Sequence, residues 1–85
     1  MKYKVNVNEC YYGVSNDELI SKIIEADNVF NLIDKIKLDN DLSEYVDKSH
    51  LQNYCGDKFV DVNEGNKSFY LLLDEVFEFE CELLK

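Results

Sequence analysis

Three features of this 85-residue chain predict an α+β fold, with helices on one face of an antiparallel sheet of about four strands. Residues 69–84 carry Phe69, Leu71, Leu73, Phe77, Phe79, Cys81 and Leu83 on odd positions, Glu75 being the exception, which is strand periodicity. Residues 1–8 alternate in the same way, with Met1, Tyr3, Val5 and Val7 against Lys2, Lys4, Asn6 and Asn8. Between them, residues 19–38 place apolar side chains at helical spacing. The predicted order is β-α-α-β-β-β in a single domain over residues 1–85, since a chain of this length builds one core layer.

The first strand covers residues 1–8, and a turn around Gly13 follows it. Ser15-Asn16-Asp17-Glu18 has capping-box spacing, in which the serine hydroxyl accepts from the N3 amide and the glutamate reaches back to the cap amide. A helix is therefore expected to start there, with Leu19, Ile20, Ile23, Ile24 and Ala26 on its apolar side. Phe30, Leu32, Ile33 and Ile36 continue the pattern to about Leu38. Asp27 and Asn28 compete for backbone hydrogen bonds, so this region is either two helices with Asn28 capping the second or one bent helix. Asp41-x-x-Glu44 precedes a short helical turn bearing Leu42, Tyr45 and Val46. Ser49-His50-Leu51-Gln52 repeats the capping spacing, with Gly56 placed to end a very short helix.

The remainder reads as a meander. A four-residue loop over residues 64–67 pairs Val62 with Phe69 and Val60 with Leu71. A three-residue turn at Asp74-Glu75-Val76 would pair Leu73 with Phe77, Leu71 with Phe79 and Phe69 with Cys81, all on one apolar face. A two-residue turn sets Leu71 beside Glu78 and is rejected for that reason. Leu72, Leu73, Val76 and Phe77 also fit a helix, the alternative for residues 69–84. In the strand reading Glu78, Glu80 and Glu82 line an outward face at about 6.6–6.8 Å intervals. Placing the N-terminal strand beside the last one would bring Lys2 and Lys4 next to this ladder and partly neutralise it.

Composition excludes several chemistries. Three glycines, at 13, 56 and 65, leave no phosphate-cradling loop, and His50 is the only histidine available as a base. Cys10, His50, Cys55 and Cys81 lack any Cys-x-x-Cys pair, so neither zinc nor another cofactor is expected. The acidic run Asp39, Asp41, Glu44 and Asp47 lacks the glycine and ligand spacing of a calcium loop. No enzymatic activity is expected. An odd cysteine count and an N-terminus that reads as a strand rather than a signal peptide point to the cytoplasm.

The formal charge of −9 is uneven: residues 1–38 carry −1, residues 39–56 carry −3, and residues 57–85 carry −5. Such a chain repels nucleic acid and anionic membrane and is steered toward basic partners, although solubility alone also explains acidity. All nine basic residues are lysine, and Tyr11, Tyr12, Tyr45, Tyr54 and Tyr70 suit a protein interface better than base stacking. In size, charge and the absence of arginine the chain resembles the small acidic phage-encoded antagonists of bacterial defence, the anti-CRISPR proteins. That resemblance is one of composition. It implies an inhibitor that occupies the basic, nucleic-acid-binding surface of a target protein. Glu78, Glu80, Glu82, Asp74, Glu75 and Asp61 would stand in for phosphates, and Tyr70 would be an amphipathic anchor. The alternatives are an immunity protein against a toxin nuclease and an assembly module that recruits a partner by strand addition at a sheet edge.

Overall fold

The computed structural model describes residues 1–11, 14–49, 59–64, 67–73 and 76–84. Its backbone forms β1 (Lys2–Tyr11), β2 (Val14–Glu25), α1 (Val29–Leu38), α2 (Ser43–Lys48), β3 (Phe59–Glu64), β4 (Lys67–Leu73) and β5 (Phe77–Leu84). All five strands join one antiparallel sheet in the order β2-β1-β5-β4-β3. The class is α+β, as expected, with five strands in place of about four.

The additional strand is β2, where the periodicity predicts a helix. Ser15 does not cap a helix; it pairs with Cys10 of β1. Along β2, Ile20, Lys22 and Ile24 stand opposite Val7, Val5 and Tyr3, while Ser21, Ile23 and Glu25 take the other parity. Three isoleucines within five residues favour a pleated surface over a helix, and pairing along most of β1 overrides the local helical spacing. The far end is closed by reciprocal bonds: the Ala26 amide donates to the Met1 carbonyl at 2.8 Å and the terminal ammonium of Met1 donates to the Ala26 carbonyl at 3.0 Å.

Among the described residues two helices form, and Asn28 caps the first. Its side chain accepts from the Asn31 amide at 2.8 Å, and the Asn31 side chain accepts from the Asp27 amide at 3.0 Å. Lys35 and Lys37 occupy the last turn, where cations oppose the helix dipole. The second helix is capped differently from expectation. Asp39, rather than Asp41, accepts from the Asp41 amide at 2.9 Å and the Leu42 amide at 3.3 Å, and Leu42 is the cap residue. The expected cap and helix of residues 49–56 fall largely outside the described residues; Ser49 itself ends α2, its hydroxyl donating to the Val46 carbonyl at 3.0 Å.

β2 and β3 lie at opposite edges and run in the same direction, so the chain between them must cross the whole sheet. The helices are part of that crossing. Leu32, Ile33 and Ile36 of α1, together with Leu42 and Val46, pack on Tyr3, Val5, Val7, Ile24, Leu72, Phe77, Phe79 and Cys81. Among the described residues no helix packs on the other sheet face, where every described side chain is exposed or half-buried.

The meander is confirmed and its helical alternative is not. The β3–β4 register is the expected one, Val60 opposite Leu71 and Val62 opposite Phe69. The β4–β5 register differs by one residue. Leu72 faces Phe79 and Tyr70 faces Cys81, so Phe69, Leu71 and Leu73 pair with Glu82, Glu80 and Glu78. Residues 69–73 are apolar at every position, so alternation cannot choose which parity turns inward. The helix-covered core makes the choice, burying Leu72 to 1 % exposure and leaving Leu73 at 38 %.

Candidate functional site

β5 is the central strand and is flanked by β1 and β4. Its alternation is clean: Phe77, Phe79 and Cys81 are buried, and Glu78, Glu80 and Glu82 are half-buried on the helix-free face. On the β1 side these glutamates oppose Asn8, Asn6 and Lys4. Lys2 opposes Leu84 rather than a glutamate. The lysine neutralisation expected from sequence therefore reaches one end of the ladder, and Glu78 and Glu80 face amides instead. The Asn6 side-chain nitrogen donates to Glu80 Oε1 at a long 3.4 Å. The Asn6 Oδ1 atom is buried without a partner among the described residues. Exchanging the two amide atoms would set that oxygen against a carboxylate, so the glutamate dictates the orientation.

On the β4 side lies a lane that the three-residue-turn register assigns to the core. Phe69 and Leu71 are half-buried and Leu73 is exposed, each opposite a glutamate. Neighbouring strands lie about 4.8 Å apart, so an apolar row runs directly beside an acidic row. Ile23 of β2, 60 % exposed, belongs to the same face farther out.

The other expected site residues part from the ladder. Tyr70 is not an outward anchor. It packs against the core edge-on to Tyr3, with ring centroids 6.3 Å apart, because the register shift turns even positions of β4 inward. Tyr45 likewise packs edge-on to Phe77 at 5.4 Å. The Asp61 backbone pairs with Tyr70; its side chain lies outside the described residues, as do Asp74 and Glu75. The ladder of Glu78, Glu80 and Glu82 is thus the described part of the expected acidic site.

The acidic run after α1 is held by lysine. Lys22 projects from β2 on the helix side and binds Asp39 at 2.6 Å and Asp41 at 2.8 Å, while Lys48 pairs with Glu44 at 2.9 Å within α2. Burial acts to raise the Asp39 carboxyl, but the Lys22 hydrogen bond, the Asp41 and Leu42 amides and the lysine charge outweigh it and hold the group below its ordinary value. Of the thiols and imidazole considered for zinc, Cys81 is the described one. It is buried, and desolvation, aided by Glu80, pushes it up to about 12, which makes it a small core hydrophobe. No group of three or more metal-ligating side chains occurs among the described residues. None of their helices is long and apolar enough to cross a membrane.

Compared with family models, curated proteins and solved structures, the chain matches none.

Proposed function

We propose that this protein is a small acidic inhibitor of the anti-CRISPR kind, acting in the cytoplasm by covering the basic, nucleic-acid-binding surface of a target protein. The observation supporting this reading is the lane of Glu78, Glu80 and Glu82 on the central strand of the sheet face that neither described helix covers. Three carboxylates at about 6.6–6.8 Å intervals repeat on the scale of phosphates along one nucleic-acid strand, and the strand backbone holds them in a fixed row. Fixed charges of one sign raise the on-rate for a basic surface and make binding sensitive to salt. The reading is tested by capturing proteins from bacterial lysate on the immobilised protein, eluting in parallel with salt and with nucleic acid. The expected result is a nucleic-acid-processing protein released by either eluent and lost when Glu78, Glu80 and Glu82 are all changed to Lys. Capture that survives the triple change would overturn the reading.

Strand addition at the β2 edge is a weaker alternative. Because Ala26 exchanges its bonds with Met1, the odd residues Ser21, Ile23 and Glu25 present their backbone groups to the open edge. Lys35 Nζ already donates to the Glu25 carbonyl at 2.7 Å, and Lys22 places a charge on the helix side of the same strand. Both features guard an edge against pairing.

A further inference from the structure

Phosphate mimicry needs only the acidic lane, yet the lane beside it is apolar. Phe69, Leu71 and Leu73 stand opposite Glu82, Glu80 and Glu78, and on the far side the glutamates meet Lys4, Asn6 and Asn8. A partner satisfying both lanes must present cationic side chains next to apolar ones. A second copy of this chain does not qualify, because each copy carries −9 and would set one glutamate row against another. A nucleic acid and an anionic bilayer fail on sign for the same reason. An added strand also fails on this face, since its amides and carbonyls would meet side chains instead of a backbone ladder. A helix satisfies its own backbone and offers two adjacent rows of side chains.

Resting on the reading above, we infer that the partner element seated on this face is an amphipathic basic helix, its apolar row on Phe69, Leu71 and Leu73 and its lysine or arginine row on Glu78, Glu80 and Glu82. The two lanes each run about 13 Å, which nine helical residues span at roughly 1.5 Å per residue. The helix offers one side chain per turn of about 5.4 Å against a carboxylate repeat of about 6.7 Å, a mismatch over three residues that long, flexible cationic side chains can absorb.

The test uses the whole protein and two fluorescent probes followed by anisotropy: a designed helical peptide of about fourteen residues with adjacent leucine and lysine rows, and an oligolysine of equal charge. Three proteins are compared, namely wild type, the pair Leu71→Thr and Leu73→Ser, and the pair Glu78→Gln and Glu80→Gln. Both altered pairs should weaken the amphipathic peptide roughly tenfold, and only the glutamine pair should weaken oligolysine. If the amphipathic peptide binds no more tightly than oligolysine and ignores the leucine pair, the helix inference is overturned. The charge-mimic reading still stands in that case, provided oligolysine needs the glutamates. Indifference of both probes to the glutamine pair overturns both. Circular dichroism checks folding, and Leu73→Ser alone, at the more exposed position, carries the test if the pair does not fold.

Discussion

The face assignment of β4 decides whether an apolar lane exists beside the glutamates, and two adjacent leucines test it. Leu72 is 1 % exposed, in the core with Phe79, whereas Leu71 is half-buried on the helix-free face opposite Glu80. Truncating a buried leucine to alanine removes its transfer free energy and leaves a cavity, together costing about 2–5 kcal/mol. Leu71 already meets solvent and leaves no closed cavity, so Leu71→Ala should cost roughly 1 kcal/mol or less. A domain of this size has about 4–13 kcal/mol of stability in all, and each kcal/mol lowers its Tm by roughly 4–8 °C. Leu72→Ala should therefore lower Tm by roughly 8 °C or more, and Leu71→Ala by less than about 8 °C. Urea titrations followed by circular dichroism give the same comparison as a shift in midpoint at constant slope. The register of a three-residue turn at residues 74–76, with Leu71 beside Phe79, requires the opposite order. If Leu71→Ala is the more damaging change, the register and the apolar lane built on it are wrong.

Other consequences can be checked separately. Asn28→Ala removes the side-chain acceptor at the start of α1 and should cost about 1 kcal/mol, a Tm loss of roughly 4–8 °C; no change in Tm would mean the cap contributes nothing. Cys81, buried and pushed up to about 12, should stay unlabelled by iodoacetamide in the folded protein at pH 8 and become labelled in urea, as read by peptide mass mapping; labelling of the folded protein would contradict its burial. The Asp39 carboxyl is lowered in the folded state, so its contribution is present above its unfolded value of 3.8 and is lost as pH falls through the lower folded value. Wild type should therefore lose more stability than Asp39→Asn between pH 5 and about pH 2, and parallel urea midpoints across that range would refute the Lys22 clasp.

How far these features were legible in the sequence depended on how many faces of an element are apolar. β5 alternates at every position from Phe77 to Leu83, so once it is a strand its buried residues and its glutamate lane are legible directly. α1 was legible through Asn28 and through Leu32, Ile33 and Ile36. β4 is apolar at five consecutive positions, so the sequence alone cannot decide between Tyr70 and Leu71 for the inward parity. β2 failed for a different reason. Ile20, Ile23 and Ile24 satisfy a helical spacing, and the alternation that reveals a strand is masked by Lys22, a charge on the buried parity whose partners Asp39 and Asp41 lie well along the chain. Local spacing contains no information about that ion pair.

The same contrast bears on whether the negative charge does more than keep the protein in solution. An acidic surface serving solubility alone works best with lysines interspersed and apolar patches kept small. Around α1 and α2 this is what the chain does: Lys22 takes up Asp39 and Asp41, and Lys48 takes up Glu44. On the open sheet face it does otherwise. A lysine stands opposite Glu82 alone, Glu80 and Glu78 face asparagines, and the opposite flank is a row of Phe69, Leu71 and Leu73. Two carboxylates with no lysine opposite them, beside half-buried Leu71 and exposed Leu73, add negative charge but bring the isolated chain no ion-pair stabilisation. A cationic, apolar surface of the kind proposed would match both lanes, so Glu78, Glu80, Leu71 and Leu73 are the first residues to change in testing that proposal.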